Sequence, residues 1–511
     1  MADTSFPFIV SSGPKVPRDP ALRTLIRKQA MKDVGIARKK RGGHGRVNLR
    51  QHPTEEDTNA QNEASTSSSS TDSSTTSSAK STPPEDTDTD ATSTDGQLVL
   101  AGQTHDWLCD QVLTASLSNR NPSSGFDKLR MKYGFDVRDL SLLTSFNVGQ
   151  STMYAISETP ELLITLLGCP DMQSYLQFIP SRYGHKPYLT AVVDCVSAKA
   201  HSRLRGPNVN CDAIVMRMYA KALASLQEAI ACEDSSMDAD LLCAIQMLSL
   251  HEMLDPQRAA AYTHHINGSA LVIKKRTPAR FKTEFEKLLF HSSIGPAFTN
   301  ALYKEERCYL EDPEWMRLYE SMIQETPGLT DRSEVVIRLR MRMLSLASML
   351  VDTTRAMDPD TFDEGLLLVL ELKCRQIHKE ILECLEDYKA HVVRMSMAPV
   401  SHSELATRRE VFGTALECLC VYKRILASLC EPERLRLENE AQAIAKLLLD
   451  LQDQPAPRHS WVYAAHEKGV AASIQATAEA WEEDLSHATF QEKRLAACAR
   501  WKEFNSYLHG P

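Results

Sequence analysis

The sequence predicts an all-α fold, and three observations carry that reading. Glycine supplies only 20 of 511 residues, about 4% against a usual ~7%, whereas doubly wound sheets and β-sandwiches need glycine at their turns. Apolar side chains recur every three to four positions through most of the second half, as one-sided helices require. Strict apolar–polar alternation, the mark of a half-buried strand, is nearly absent. At 42% hydrophobic residues the chain has enough apolar surface for a sizeable core.

Composition divides the chain into three. Residues 1–53 hold twelve Lys and Arg against three Asp and Glu, a net +9. Residues 54–97 reverse this with ten acidic residues and one Lys, a net −9, and half of them are Ser or Thr. That stretch has almost no large apolar side chain, so it cannot offset the entropy of ordering and reads as a disordered linker. Residues 98–511 carry the remaining −9 and nearly all the large apolar residues, and form the predicted helical domain, beginning near Leu98. In the head, Asp19-Pro20 is a helix start and Gly42-Gly43 a stop. Between them Leu22, Ile26, Ala30 and Val34 repeat every four residues, with Arg23, Arg27, Lys28 and Lys32 mostly elsewhere on the cylinder. The segment ends in Arg38-Lys39-Lys40-Arg41, a cluster that a nuclear import receptor reads or that sits on phosphates.

In the predicted domain a first helix carries the stripe Ile214, Met218, Ala222, Leu226, Ile230, with Val215, Tyr219 and Leu223 alongside. A second reads Leu241, Leu242, Ile245, Leu248 and is stopped by Asp255-Pro256. Further helices are expected at 335–357, 364–389, 404–429, 431–452, 459–485 and 490–506. The Gly295-Pro296 pair is expected to interrupt a helix. No apolar run approaches the ~18–20 residues that span a bilayer, Gly365–Leu370 being broken by Glu371, and no secretory leader is expected. The thirteen cysteines include no C-x-x-C pair, so buried reduced thiols are expected rather than a zinc site.

His251-Glu252-Met253-Leu254-Asp255 stops one residue short of H-E-x-x-H, and Pro256 would break the helix that motif needs. Gly42-Gly43-His44-Gly45 lacks the Gly-Lys-Ser/Thr of a phosphate loop, and no G-x-S-x-G occurs. Glu233-Asp234 with Asp238 and Asp240 is the one carboxylate run suited to Mg²⁺, and it reads as a solvated turn between helices. No catalytic, cofactor-binding or metal-ligating residue is assigned.

Two segments resemble the helical regulatory region of the fungus-specific transcription factor family. The first runs from Tyr219 through Ala222-Leu223, Leu226, Glu233-Asp234-Ser235-Ser236 and Leu248-Ser249-Leu250-His251-Glu252. It closes on His265-Ile266-Asn267-Gly268 and Lys274-Lys275-Arg276. The second is Ala301-Leu302 through Pro313-Glu314-Trp315. The head, with Phe6-Pro7-Phe8-Ile9-Val10 and its later cations, is similar to that of members lacking a zinc cluster, and no cysteine precedes Cys109. The resemblance implies a helical regulatory domain in a nuclear protein, with Glu252, His265, Gly268, Arg276 and Trp315 as structural signature. Gly268 is expected to permit a close helix approach, so that Gly268→Leu overpacks. His265 is expected to be a hydrogen-bonded buried imidazole, and Trp315 to anchor a loop on the core. Glu252 is placed to accept from His251, His264 or Lys274 in a partly exposed pair.

The expected function is therefore a transcription-regulator-like nuclear protein acting through protein contacts, with DNA contact by the basic head or through a partner. Its expected partners are a nuclear import receptor, DNA or the transcription machinery, and a second subunit as homo- or heterodimer, without a membrane. A helical interaction scaffold that does not bind DNA is the alternative, and an all-α enzyme the third reading.

Overall fold

The computed structural model describes residues 124–508, apart from short stretches at 150–151, 154, 157–158, 160, 168–172, 206–208, 233–237, 256–258, 327, 359–362, 396–399 and 456–459. The head, the linker, residues 98–123 and the Glu233-Asp234-Ser235-Ser236 turn lie outside the described residues.

The fold is all-α. The described helices are α1 (Gly125–Tyr133), α2 (Glu161–Leu166), α3 (Ile179–Arg182), α4 (Pro187–Leu204), α5 (Val209–Ala231), α6 (Ala239–Met253), α7 (Ala259–Arg276) and α8 (Glu284–Tyr303). They continue as α9 (Pro313–Glu320), α10 (Glu334–Ala356), α11 (Glu364–Met395), α12 (His402–Leu429), α13 (Arg434–Asp453), α14 (Trp461–Ala476), α15 (Ala478–Glu482) and α16 (Phe490–Leu508). Two of them are central. Helix α6 lies against α4, α5, α7 and α8, and every residue from Asp240 to Met253 is buried. Helix α12 lies against α10, α11, α13, α14 and α16, and is buried almost without a break from Glu410 to Leu429. A helix with neighbours on all sides buries its whole circumference, which explains apolar runs such as Cys418-Leu419-Cys420-Val421-Tyr422. No helix among the described residues is long and apolar enough to cross a membrane.

Local chemistry sets several boundaries. Asp238 caps α6 by accepting from Asp240 N at 3.0 Å. A reciprocal capping box between Thr283 and Glu286 opens α8. Ser401 accepts from Glu404 N at 3.1 Å at the start of α12. The cysteines that are described are free thiols, and burial pushes those of Cys308 and Cys420 up to about 12.

Four expectations are corrected. On α5 the buried stripe is Val215, Tyr219, Ala222, Leu226 and Ala229, while Ile214 and Ile230 are exposed. Both stripes have helical period, and the packing of α4 on one side of α5 decides between them. Gly295-Pro296 does not interrupt α8, which runs through both. Pro296 removes one ladder bond, and Thr299 Oγ1 donates to the Gly295 carbonyl at 3.0 Å one turn on. The 459–485 segment is two helices, α14 and α15, parted at Thr477. Gly268 is not the tight glycine, because a Cβ there would meet only Ile245 Cγ2 at 3.8 Å, an ordinary contact. The close approach is at Gly295, where a Cβ would stand 1.6 Å from the Phe146 carbonyl oxygen.

Candidate functional site

The signature residues fall on and around α6–α9. Glu252 is fully buried, which corrects the partly exposed pair expected for it. His251 Nδ1 and His265 Nε2 stand 3.6 and 3.7 Å from its Oε1. Tyr219 lies over the His251 ring at 4.7 Å between centroids. Burial alone would raise the Glu252 carboxyl, but His251, His265 and Tyr219 together hold it well below the usual carboxylate range. His264 faces solvent, one residue off that face. Lys274 lies about three turns further along α7, and its Nζ sits over the Tyr309 ring at 4.6 Å. Neither of those two joins the cluster. Its side chains come from α5, α6 and α7, so it ties three helices together. Among the described residues no group of three His, Cys, Asp or Glu is arranged to hold a metal ion.

Arg276 ends α7 and pairs with Glu286 Oε1 at 2.6 Å, its guanidinium 5.3 Å from the Phe281 ring centre. It thus joins the C-terminus of α7, where a cation opposes the helix dipole, to the capping box of α8. Trp315 belongs to the first turn of α9 rather than to a loop. It stacks on Phe290 at 5.6 Å and meets Tyr309 edge-on at 5.7 Å. Arg23, Arg27, Lys28, Arg38, Lys39, Lys40 and Arg41 lie outside the described residues.

Between α6, α7 and α8 lies a cavity with about 40 Å³ open to water centres. Helix α6 turns Gln246, Ser249, Leu250 and Met253 toward it, a spacing of three and four that places them on one face. Helix α7 contributes Tyr262, Ile266, Ser269 and Ile273 by the same rule, while Leu271 on its opposite side is exposed. Helix α8 adds Ser292 and Pro296, and Tyr309 closes the wall from the turn before α9. No side chain in this wall carries a formal charge.

Most of the wall's polar groups are satisfied within the fold. Gln246 Nε2 donates to the Leu289 carbonyl at 2.9 Å, and Ser292 Oγ donates to Gln246 Oε1 at 3.2 Å. Ser293 Oγ donates to the Phe290 carbonyl at 2.6 Å. Three hydroxyls differ: Tyr262 Oη, Ser269 Oγ and Tyr309 Oη are shielded from solvent and have no hydrogen-bond partner among the described residues. Burial raises the Tyr262 and Tyr309 phenols far above their ordinary range, so both remain O–H donors. Pro296 has no N–H, so the Ser292 carbonyl loses its ladder donor.

Sequence reasoning paired Glu252 with His251 but chose His264 in place of His265, and it missed the cavity. Tyr262 and Ser269, seven residues apart on the apolar stripe of α7, were the available signal. Tyr309 reaches the same wall from a turn forty residues or more away, and no local pattern announces that.

Fold and cavity together define an all-helical protein with a small pocket lined by uncharged residues. It is similar to Uncharacterized protein AN5342 of Emericella nidulans, 22% identical over 205 residues, which is 40% of this chain and 39% of that protein. The match therefore spans about two fifths of that relative's length. No family model matches the chain, and no solved structure matches it.

Proposed function

We propose that the chain is a nuclear, transcription-regulator-like protein that acts through protein contacts, with its basic head supplying nuclear entry and contact with DNA. The observation that carries this reading is the separation of charge: +9 in residues 1–53, ending in Arg38-Lys39-Lys40-Arg41, against −9 in the helical domain. Concentrated cations in a leader are available to an import receptor or to phosphates, while the acidic domain repels nucleic acid. The resemblance to the regulatory region of the fungus-specific transcription factor family supports it further. The start of the first resembling segment meets its middle in the fold, Tyr219 with the His251–Glu252–His265 group.

Neutralising Arg38, Lys39, Lys40 and Arg41 is expected to move a fluorescent fusion of the full chain from nucleus to cytoplasm, and an unchanged nuclear signal overturns the import role. Chromatin crosslinking of the tagged protein is expected to recover discrete genomic sites. A second reading, a helical interaction scaffold, draws on exposed apolar side chains at Leu368, Val369 and Leu372 of α11 and Phe490 of α16. Its signature is a chain that crosslinks to proteins and to no chromatin.

A further inference from the structure

We propose that Thr277, in the turn between α7 and α8, is a phosphorylation site for a proline-directed protein kinase. This inference goes beyond the nuclear reading and does not depend on it.

Three features carry it. The first is the sequence around the hydroxyl. Thr277-Pro278-Ala279-Arg280 offers an acceptor, a proline directly after it and a cation three residues on. Proline-directed kinases read that order, because Pro brings no N–H into an apolar subsite and the cation meets negative charge on the kinase. The chain's other Thr-Pro pairs, Thr82-Pro83, Thr159-Pro160 and Thr326-Pro327, have Glu85, Leu162 and Leu329 in place of that cation.

The second feature is the state of Thr277 itself. It is exposed, and its side chain makes no cap hydrogen bond to the turn that follows. Its backbone stands at φ 59° and ψ 157°, a conformation that is costly for a β-branched residue and free for glycine. The fold therefore keeps a threonine here against a backbone penalty and leaves its hydroxyl open to solvent.

The third feature is charge. Lys274, Lys275, Arg276, Arg280 and Lys282 all stand within five residues of Thr277, with no acidic residue among them. Arg276 is buried against Glu286, whereas Lys274, Lys275, Arg280 and Lys282 are exposed. The nearest carboxylates along the chain, Glu284 and Glu286, are held by Arg332 and Arg276. Pro278–Arg280 is a 3₁₀ turn in which the Arg280 N–H donates to the Thr277 carbonyl at 3.3 Å. Side chains three apart in such a turn lie on one side, so Arg280 is placed beside a phosphate on Thr277.

In the step, Thr277 Oγ1 bonds to the γ-phosphorus of ATP, a base on the kinase takes the hydroxyl proton, the bond to the bridging oxygen breaks and ADP leaves. The product carries roughly −1.5 to −2 charges at neutral pH and pairs with Arg280 and the flanking lysines. The dipole of α7 opposes an anion at its C-terminus, but the three cations that end this helix already offset it.

The test exposes the folded full chain to a proline-directed kinase with Mg²⁺ and ATP, and maps the phosphate by peptide mass spectrometry. Thr277 is expected to gain phosphate at least about 10-fold faster than Thr159, which is exposed and followed by proline but lacks the cation. Arg280→Gln, a change at an exposed side chain, is expected to slow Thr277 by about 10-fold, the worth of one charge-assisted contact, and to leave Thr159 unchanged. Chain purified from the cells that make it is expected to carry phosphate on Thr277. The proposal is overturned if Thr277 is modified only after denaturation, if Arg280→Gln leaves its rate unchanged, or if the native protein lacks the phosphate at every growth stage.

Discussion

The two central helices bury polar groups in opposite ways. Along α12 the buried charged groups are matched, although the Tyr422 hydroxyl on the same helix has no partner among the described residues. Arg424 is fully buried with Glu438, their closest approach 2.6 Å, and donates besides to Thr477 Oγ1 and the Ile474 carbonyl. Its guanidinium lies 4.3 Å from the Trp481 ring centre. Arg340 reaches Asp331 at 2.8 Å and Glu410 at 2.9 Å, and His466 Nδ1 meets Glu417 Oε1 at 2.7 Å. Along the cavity face of α6 the polar groups are neutral, and the wall they share keeps three unmatched hydroxyls. Matched charge fixes how helices sit, because either partner left alone in the interior is heavily penalised. Neutral hydroxyls without a partner in the fold do not fix helix positions in that way. The charged seam along α12 fixes architecture, and the neutral α6 wall does not.

The sharpest way to break this contrast is at Arg424. Arg424→Met should destabilise the protein by about 3–5 kcal/mol in urea denaturation, because Glu438 is left as an uncompensated buried charge. The double variant Arg424→Met, Glu438→Leu should recover much of that loss. A small single-variant effect would remove the seam from the architecture.

A smaller effect is expected at Glu467, 3% exposed on α14. Burial, and then the charge of Glu417, raise its carboxyl to about 8, with Glu410 acting in the same direction and Arg409 and Gln452 opposing. The folded protein therefore keeps a proton that the unfolded chain has released. Its contribution is full below the unfolded pKa near 4.3 and is lost as pH rises toward about 8. Within that window the slope is at most about 1.4 kcal/mol per pH unit. Denaturation midpoints across the window should fall with pH more steeply in the parent protein than in Glu467→Gln, and parallel curves would refute the protonated state. The smallest effect should come from the cavity. Tyr262→Phe removes a hydroxyl that has no partner among the described residues, so its melting temperature should stay level or rise by the equivalent of up to ~1 kcal/mol. A loss of stability would show that the fold itself uses that hydroxyl.

Much of this architecture was readable from residue spacing. Helices α10, α11, α12 and α16 begin and end within a few residues of the predicted spans, apart from six more residues at the end of α11. Their apolar period and capping residues are local properties. Spacing failed where two answers were locally equal. The stripes through Ile214 and through Val215 both repeat helically, and the position of α4 chose the second. It also failed where a long-range contact offset a local penalty. Pro296 stays helical in a turn whose neighbour, Gly295, is pressed against the Phe146 backbone. Thr477 ends α14 where its hydroxyl receives Arg424 from α12.

By itself, then, the amino-acid order determined that the domain is helical and that positive charge gathers ahead of it, since propensity, periodicity and composition act over a few residues at a time. Only the tertiary structure decided which buried polar groups meet a partner. Arg424, Glu438 and Thr477 converge from α12, α13 and the α14–α15 junction, while Tyr262, Ser269 and Tyr309 line one wall and find none among the described residues. The physical reason is range: a hydrogen bond or buried ion pair depends on ångström distances between segments far apart in the chain, and those distances exist only once the helices have packed.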